Sequence, residues 1–158
     1  MCSYCGCRAN TVIARLSEEH EAITNAMGDL RRASVAGGDE QVRQLALVLS
    51  SLLDPHTVIE ERCLFAELRK EDEFVAPVDG LCGEHRSIDE LIARVASGDR
   101  AAVPVLDEAL WRHIDKEENG LFPAAIIAMD GDAWECVVKG IADCDATATV
   151  QPVHGSAS

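Results

Sequence analysis

The chain has 158 residues, a formal net charge of −14 at pH 7 and only 4% aromatic residues. This length fits a single domain, and the aliphatic composition favours packed helices over a sheet. Because an acidic surface repels phosphate groups, we expect neither nucleic acid nor a membrane surface as a partner. No apolar run is long enough to span a membrane or to form a signal peptide, so we expect a cytoplasmic protein.

Apolar residues spaced by three and four predict four amphipathic helices. Their stripes run, in chain order, from Ile13 to Leu30, from Val42 to Cys63, from Val78 to Val95 and from Val103 to Leu121. The predicted breaks are Gly37-Gly38, the Pro-containing stretch Glu71–Pro77, and Ser97–Asp99. Short connections make successive helices antiparallel neighbours. We therefore predict an all-α, up-down-up-down four-helix bundle.

An extra C-terminal helix is predicted at roughly 123–143, containing Trp134 and Ile141 and packing across the end of the bundle. The bundle domain would then cover residues 10–145. It would lie between a Cys-rich N-terminal segment at 1–9 and a flexible tail at 146–158.

A ten-residue pattern, His-x3-Glu-Glu-x2-Leu-Phe, occurs twice, as HTVIEERCLF at 56–65 and as HIDKEENGLF at 113–122. A second repeat, Leu-x2-Glu-His-x2-Ile, precedes each copy, at 16–23 and at 81–88. This order indicates a tandem duplication of a two-helix unit.

Four histidines from these repeats fall on the apolar stripes of their helices. They are His20, His56, His85 and His113. Residues four apart share a helix face, so His56 and Glu60 form a two-point metal clamp. The same spacing recurs at His113 and Glu117. Six such ligands are too many for a tetrahedral zinc site, and they predict two adjacent metals bridged by the carboxylates. Iron suits this donor set best, manganese is the alternative, and zinc is expected only as a contaminant.

Each clamp carries a second glutamate, Glu61 or Glu118, five residues after its histidine. On an ideal helix that residue points about 140° away from the histidine. Glu60 and Glu117 are therefore the preferred ligands, although a local bulge would reverse the choice.

Pro55, directly before His56, leaves two interpretations open. Proline inside a helix removes a backbone donor, which predicts a kink or a break beside the metal. Alternatively, Asp54 caps a new helix that begins at Pro55.

With these residues in view, the chain resembles the hemerythrin-like (HHE cation-binding) proteins over roughly Arg15–Met129. The resemblance rests on the four histidines, the two His-x3-Glu clamps and the Leu-Phe pair after each clamp. It implies a four-helix bundle holding two non-haem iron ions, bridged by oxo and carboxylate groups, that handles O2, peroxide or nitric oxide.

One position departs from the oxygen-carrying members of that family. They have a second histidine one turn after the third-helix histidine, where this chain has Asp89. Loss of a nitrogen ligand disfavours simple O2 carriage. We therefore expect a catalase- or peroxidase-like oxidoreductase that decomposes hydrogen peroxide, with nitric oxide chemistry as a close variant and Asp89 as a base or variable ligand. The alternative is a non-enzymatic sensor of O2, nitric oxide or iron.

Three cysteines lie close to the start of the chain: Cys2, Cys5 and Cys7. They could bind a soft metal, act as a redox switch or contact a protein partner, or they could have no function. Cys63 and Cys82 are interpreted as small buried hydrophobic residues. Cys136 and Cys144 are interpreted as ordinary helix residues.

Overall fold

The computed structural model describes the backbone of residues 5–148 and the side chains of residues 9–148. Its helices are α1 (Cys5–Ala36), α2 (Asp39–Ile59), α3 (Phe65–Leu68), α4 (Asp72–Ala96), α5 (Ala102–Lys116), α6 (Phe122–Ala128) and α7 (Gly131–Ala148). Two π-helical turns, Glu60–Leu64 and Glu117–Leu121, join α2 to α3 and α5 to α6. Residues 5–148 therefore form five helical rods, two of which contain a π-helical turn.

Four of these rods form the bundle: α1, α2 with α3, α4, and α5 with α6. Helices α1 and α4 each contact both α2 and α5, so the rods close into a ring around one core. The fifth rod, α7, packs against α1, α2, α3 and the first π-helical turn. The predicted all-α bundle with an extra C-terminal helix is confirmed.

The turns after α1 and after α4 meet at one end of the bundle. Gly98 lies within the second of these turns and has a φ of +104°, a conformation that glycine adopts without steric cost. The guanidinium of Arg100 then donates to the carbonyl oxygens of Ser34 at 3.1 Å and Gly37 at 2.8 Å. These bonds hold the two turns together and satisfy carbonyls that the end of α1 leaves unpaired.

The interior consists of two apolar clusters separated by a polar layer. One cluster includes Leu16, Phe65, Phe122 and Trp134; the other includes Ile23, Leu30, Leu49, Ile92 and Leu106. His20 lies between Leu16 of the first cluster and Ile23 of the second. His56, His85 and His113 fall between the two clusters in the same way along their own helices. The four histidines therefore lie at one common level of the bundle, between the two apolar clusters.

Proline lies inside two of the helices, which decides between the two interpretations of Pro55 and corrects one predicted helix boundary. Pro55 lies inside α2, so the helix does not restart at Asp54. Helix α4 begins at Asp72 and contains Pro77, where a connection was expected. Each proline costs a backbone hydrogen bond, but Phe74 and Val78 are buried on either side of Pro77. Burial of a continuous apolar stripe outweighs the lost bond.

The predicted bounds of the last helix are also wrong. Pro123 belongs to α6, which continues the fourth rod, and the chain turns at Met129 and Asp130 before α7 begins. The carboxylate of Asp130 accepts a hydrogen bond from the backbone N–H of Ala133 at 2.9 Å and so caps α7. Trp134 is fully buried, which anchors α7 on the bundle.

Several sequence-based predictions fall on residues that the structure does not describe. Cys2 lies outside the described backbone, and the side chains of Cys5 and Cys7 are not described although α1 begins at Cys5. The tail beyond Ala148, including His154, is likewise outside. Within the described part of the chain, no helix combines the length and the apolar character that a membrane crossing requires.

Candidate metal centre

Both copies of the ten-residue repeat contain a π-helical turn at the same place. Each turn begins at the first glutamate of the pair, Glu60 or Glu117. The N–H of Glu60 still donates to the carbonyl of His56, so the clamp itself keeps α-helical spacing. The extra residue then rotates the following helix, and Leu64 and Phe65 are both fully buried. The bulge that sequence reasoning allowed for is present, but it lies after the clamp and leaves Glu60 facing the core.

All six candidate ligands are buried in the polar layer. They are His20, His56, Glu60, His85, His113 and Glu117, each at most 4% exposed. They form two overlapping groups of four, and the ligand atoms within each group lie within 4.8 Å of one another. One group contains His20 and His56, the other contains His85 and His113, and Glu60 and Glu117 belong to both.

The carboxylate of Glu60 spans the two groups. Its Oε1 lies 3.1 Å from Nε2 of His56, on the same helical rod. Its Oε2 lies 3.2 Å from Nε2 of His85, on α4. The two oxygens therefore point into different groups, which is the orientation of a bridging carboxylate.

Glu117 repeats this arrangement from the opposite rod. Its Oε2 lies 3.1 Å from Nε2 of His20, and its Oε1 lies 3.3 Å from Nε2 of His113. The Nε2 atoms of His85 and His113 face each other at 3.0 Å. Imidazole nitrogens and carboxylate oxygens thus converge on the same small volume.

Most of these inward atoms have no hydrogen-bond partner among the described residues. They are Nε2 of His20, Nε2 of His56 and both carboxylate oxygens of Glu60 and of Glu117. A buried polar atom without a partner costs about 1–3 kcal/mol, and more if it is charged. A cation bound between them would satisfy these atoms together. Imidazole nitrogen with carboxylate oxygen is a donor set that suits iron, manganese or zinc, so the residues fit a metal centre.

A second layer of carboxylates holds the outer nitrogen of each of the four histidines at the centre. The Nδ1–carboxylate pairs are His20 with Glu118 at 2.6 Å, His56 with Glu19 at 2.8 Å, His85 with Glu61 at 2.7 Å and His113 with Glu84 at 3.0 Å. Each carboxylate comes from a neighbouring rod, so the four pairs form a closed ring around the bundle. Because a carboxylate only accepts, each Nδ1 carries a proton and donates it outward, which leaves Nε2 as the nitrogen that would bind a metal in the interior.

Sequence reasoning missed this ring. Glu19 and Glu84 were given no role, and Glu61 and Glu118 were considered only as alternative ligands. The available signal was positional: a glutamate directly precedes His20 and His85 in their repeat, and a second glutamate follows each clamp glutamate. The structure places neither Glu61 nor Glu118 in the two inner groups.

The phenylalanines after the π-helical turns pack on two of the histidines. Phe122 stacks on His20 with ring centroids 5.7 Å apart, and Phe65 stacks on His85 at 5.9 Å. Both rings are almost fully buried. They form apolar walls that limit the contact of water with these histidines and restrict ring rotation.

Asp89 does not join the inner groups. It is exposed on α4 and belongs to neither group of ligand-type residues. Partial burial and the nearby Asp54 raise the pKa of its carboxyl, while His85 opposes that rise. The structure therefore places Asp89 beside the centre and not within it.

Charge at the centre is distributed unevenly between equivalent positions. Burial disfavours protonation of His56, but Glu19 and Glu60 outweigh it and raise the pKa of His56 to about 10. At the equivalent His113, burial and the adjacent His85 lower the pKa to about 4. Burial and the charge of Glu60 raise the pKa of Glu117 to about 7. The two halves of the site have the same residue types, but equivalent residues in them differ in pKa.

A polar surface groove of about 400 Å³ borders the centre at one ligand. It is lined by Ser17, His20, Glu21, Thr24, Asn25, Ile114 and Glu118. The hydroxyl of Ser17 donates to Glu118 at 2.9 Å, and Glu118 in turn accepts from Nδ1 of His20. This groove gives a small polar molecule a path to the edge of the centre.

Together, the fold and the site define a helical-bundle metal-binding protein. The family model that matches the chain, over residues 11–125, is the hemerythrin HHE cation-binding domain. The chain therefore belongs to the hemerythrin HHE cation-binding domain family, and the predicted resemblance is confirmed. No curated protein and no solved structure matches the chain.

Proposed function

We propose that this protein holds a non-haem di-iron centre that reacts with small oxidants, chiefly by decomposing hydrogen peroxide, with nitric oxide chemistry as a variant. The observation that carries the proposal is the sharing of Glu60 and Glu117 between two groups of four ligand-type residues. Each carboxylate directs its two oxygens to histidines of different groups. Two adjacent metal ions account for this arrangement, whereas one ion would leave half of the donors unused.

The proposed ligands are His20, His56, Glu60, His85, His113 and Glu117. Bound iron would supply Lewis-acid and redox chemistry at this position. The protein holds the donor atoms in place: the outer carboxylate ring fixes each imidazole with Nε2 directed inward, and Phe65 and Phe122 cover two of the rings. The apolar clusters on both sides exclude bulk water, which strengthens electrostatic interactions within the layer.

The polar groove beside His20 is the proposed entry for peroxide. Its wall carries Glu118, a partly exposed carboxylate that already accepts hydrogen bonds from Ser17 and His20. Glu118 is therefore placed to accept or return a proton as a small hydroxylic molecule enters. The basic role predicted for Asp89 stays a prediction, as do the cytoplasmic location and a partner contact through the N-terminal cysteines.

Oxygen evolution per chain tests this proposal. Iron-loaded protein is mixed with excess hydrogen peroxide, and evolved oxygen is measured beside the visible spectrum. We expect many molecules of oxygen per chain from the wild type and none above background from Glu117→Gln, which keeps the side-chain shape but removes the charge. Glu90→Gln, a change at an exposed position on α4, serves as the matched control and should behave as wild type.

Two other outcomes would change the assignment. A spectral change that consumes about one equivalent of peroxide and then stops would favour the sensor, because a catalyst must turn over. Undiminished turnover in Glu117→Gln would show that the shared carboxylates are not part of the reacting centre.

A further inference from the structure

Two thiols outside the candidate metal centre lie against each other. Cys63 is buried in the first π-helical turn and Cys144 is half-buried in α7. Their Sγ atoms are 3.9 Å apart, although the residues are separated by 81 positions in the sequence. The other thiols among the described side chains, Cys82 and Cys136, lie on α4 and elsewhere on α7.

A glycine on α7 leaves space for the thiol of Cys63. Gly140 lies one turn before Cys144 on the same face of α7, and a Cβ at that position would come within 3.0 Å of the Cys63 sulfur. The absent side chain at Gly140 therefore gives the thiol room to lie next to Cys144. Any larger residue there would push the two sulfur atoms out of register.

Helix α7 is also fixed next to this thiol pair. The guanidinium of Arg15 on α1 donates two hydrogen bonds to the carboxylate of Asp145, at 2.8 and 2.9 Å. Asp145 directly follows Cys144, so this paired contact holds the last turns of α7 against the bundle. An exposed ion pair contributes little stability by itself, but its two-point geometry sets the position of Cys144.

We propose that Cys63 and Cys144 are a redox modification site that forms a reversible disulfide when the protein meets peroxide. In the first step the Cys144 thiol is oxidised by hydrogen peroxide to a sulfenic acid, with release of one water. In the second step the Cys63 sulfur bonds to the Cys144 sulfur, and the hydroxyl group leaves with the Cys63 proton as a second water. Two thiols and one peroxide thus give one disulfide and two waters. This chemistry requires no metal and is independent of the function proposed above.

Burial sets the order of these two steps. Burial and the neighbouring Cys144 raise the pKa of the Cys63 thiol to about 12, so Cys63 is unreactive toward an oxidant in solution. Cys144 is the more exposed of the pair and meets peroxide first. Once Cys144 is oxidised, Cys63 is the thiol in contact with it. Cys63 then reacts despite its high pKa, because its sulfur already lies next to the sulfur of Cys144.

The disulfide would link α7 to the helical turn that carries Glu60 and Glu61. In the reduced protein, non-covalent contacts hold α7 on this turn, including the packing of residues such as Val137 and Ile141. Oxidised protein would hold it covalently. The redox state of the two thiols would therefore decide whether α7 is covalently linked to one of the two turns that supply the candidate metal ligands.

Peptide mapping under non-reducing conditions tests the proposal on the full-length protein. Trypsin cleavage after Lys and Arg places Cys63 in the peptide 63–69, Cys144 in 140–158, Cys136 in 117–139 and Cys82 in 71–86. After repeated additions of hydrogen peroxide, we expect peptides 63–69 and 140–158 to appear as one linked species that a reductant separates. Reversible oxidation should also raise the melting temperature of the wild type.

Cys136→Ser, on the same helix, is the matched control and should form the link as the wild type does. Cys144→Ser should lose both the link and the rise in melting temperature; because this residue is half-buried, the variant is expected to fold. The proposal is overturned if peroxide leaves Cys63 as a thiol while Cys144 is oxidised further. It is equally overturned if peptide 140–158 links to any other cysteine-containing peptide in preference to 63–69.

Discussion

The two halves of the bundle, α1 to α3 and α4 to α6, are alike where they face the centre and different where they face outward. The inner and ring residues correspond one to one: Glu19, His20, His56, Glu60 and Glu61 in the first half, and Glu84, His85, His113, Glu117 and Glu118 in the second. The packing around the two π-helical turns differs. Cys63 in the first turn is covered by α7, whereas the matching Gly120 in the second lines an open groove of about 720 Å³.

The contacts behind the carboxylate ring differ as well. In the first helix of the repeat, the Ser17 hydroxyl donates to Glu118 at 2.9 Å. The matching residue of the second half is Cys82, whose pKa is raised by burial and by the nearby Glu61, and whose sulfur lies 3.6 Å from Arg69. Internal repetition thus covers the groups that hold the inner atoms and the Leu-Phe pair after each clamp, whereas Ser17 and Cys82 differ between the halves. The residues that differ, such as Ser17 and Cys82 or Cys63 and Gly120, give each half its own contacts.

Removing one histidine from either half should have the largest effect on bound iron and on peroxide turnover. His56→Ala and His113→Ala should each lose bound iron and peroxide turnover, because the two groups share their carboxylates and neither half can hold metal normally alone. Metal content and oxygen evolution measure this. Full activity in an iron-free variant, or a loss confined to one of the two variants, would show that the halves are not equivalent partners.

Metal removal should lower stability strongly. Ligand binding at 100 times the dissociation constant stabilises a fold by about 2.7 kcal/mol, and structural metals often contribute more. Chelation should therefore reduce the free energy of unfolding by at least about 3 kcal/mol, measured by urea denaturation with and without metal. An unchanged unfolding curve would indicate a bundle that binds metal only adventitiously.

The carboxylate ring should have a moderate and symmetric effect. Glu61→Gln and Glu118→Gln keep the side-chain shape but weaken the hold on Nδ1 of His85 and of His20. Loss of such outer partners weakens metal binding by about 10- to 100-fold. Competition with a chelator would measure the affinity of each variant. If Glu61→Gln lost all metal, that glutamate would be an inner ligand after all.

The smallest expected effect is on the free energy of unfolding, and it should differ between the two halves. Ser17→Ala removes the hydrogen bond to Glu118 and should cost about 1 kcal/mol of unfolding free energy. Cys82→Ala removes only a weak thiol contact, so the lost hydrogen bonding should lower the free energy of unfolding by less. The lost side-chain volume adds a separate packing cost. A double-mutant cycle with Glu118→Gln and Glu61→Gln isolates the polar contribution. Equal coupling energies in both halves would contradict the proposed difference.

The residues of the inner groups were predictable from sequence because each leaves a local signal. His56 and Glu60 lie four apart on an apolar stripe, and the same pattern recurs at His113 and Glu117. Helical periodicity decides which residues face the core, so a duplicated pattern of polar residues on that face indicates a shared buried site. The helical-bundle fold was predictable from the same apolar stripes.

The remaining features depend on tertiary packing, which periodicity does not report. The reach of Glu19 to His56 depends on the lateral distance between two rods. The π-helical turns give no composition signal, and the helix through Pro77 persists because its apolar face is buried on both sides of the proline. The contact of Cys63 with Cys144 requires α7 to be in its place on the bundle.

The central claim is that the six inner residues hold two metal ions, and metal content per chain tests it most directly. The protein would be purified anaerobically and its metals quantified against protein concentration, with Glu60→Gln measured in parallel. We predict about two iron ions per folded chain in the wild type and a large loss in the variant. A wild-type protein that folds with native stability and binds no metal would contradict the account.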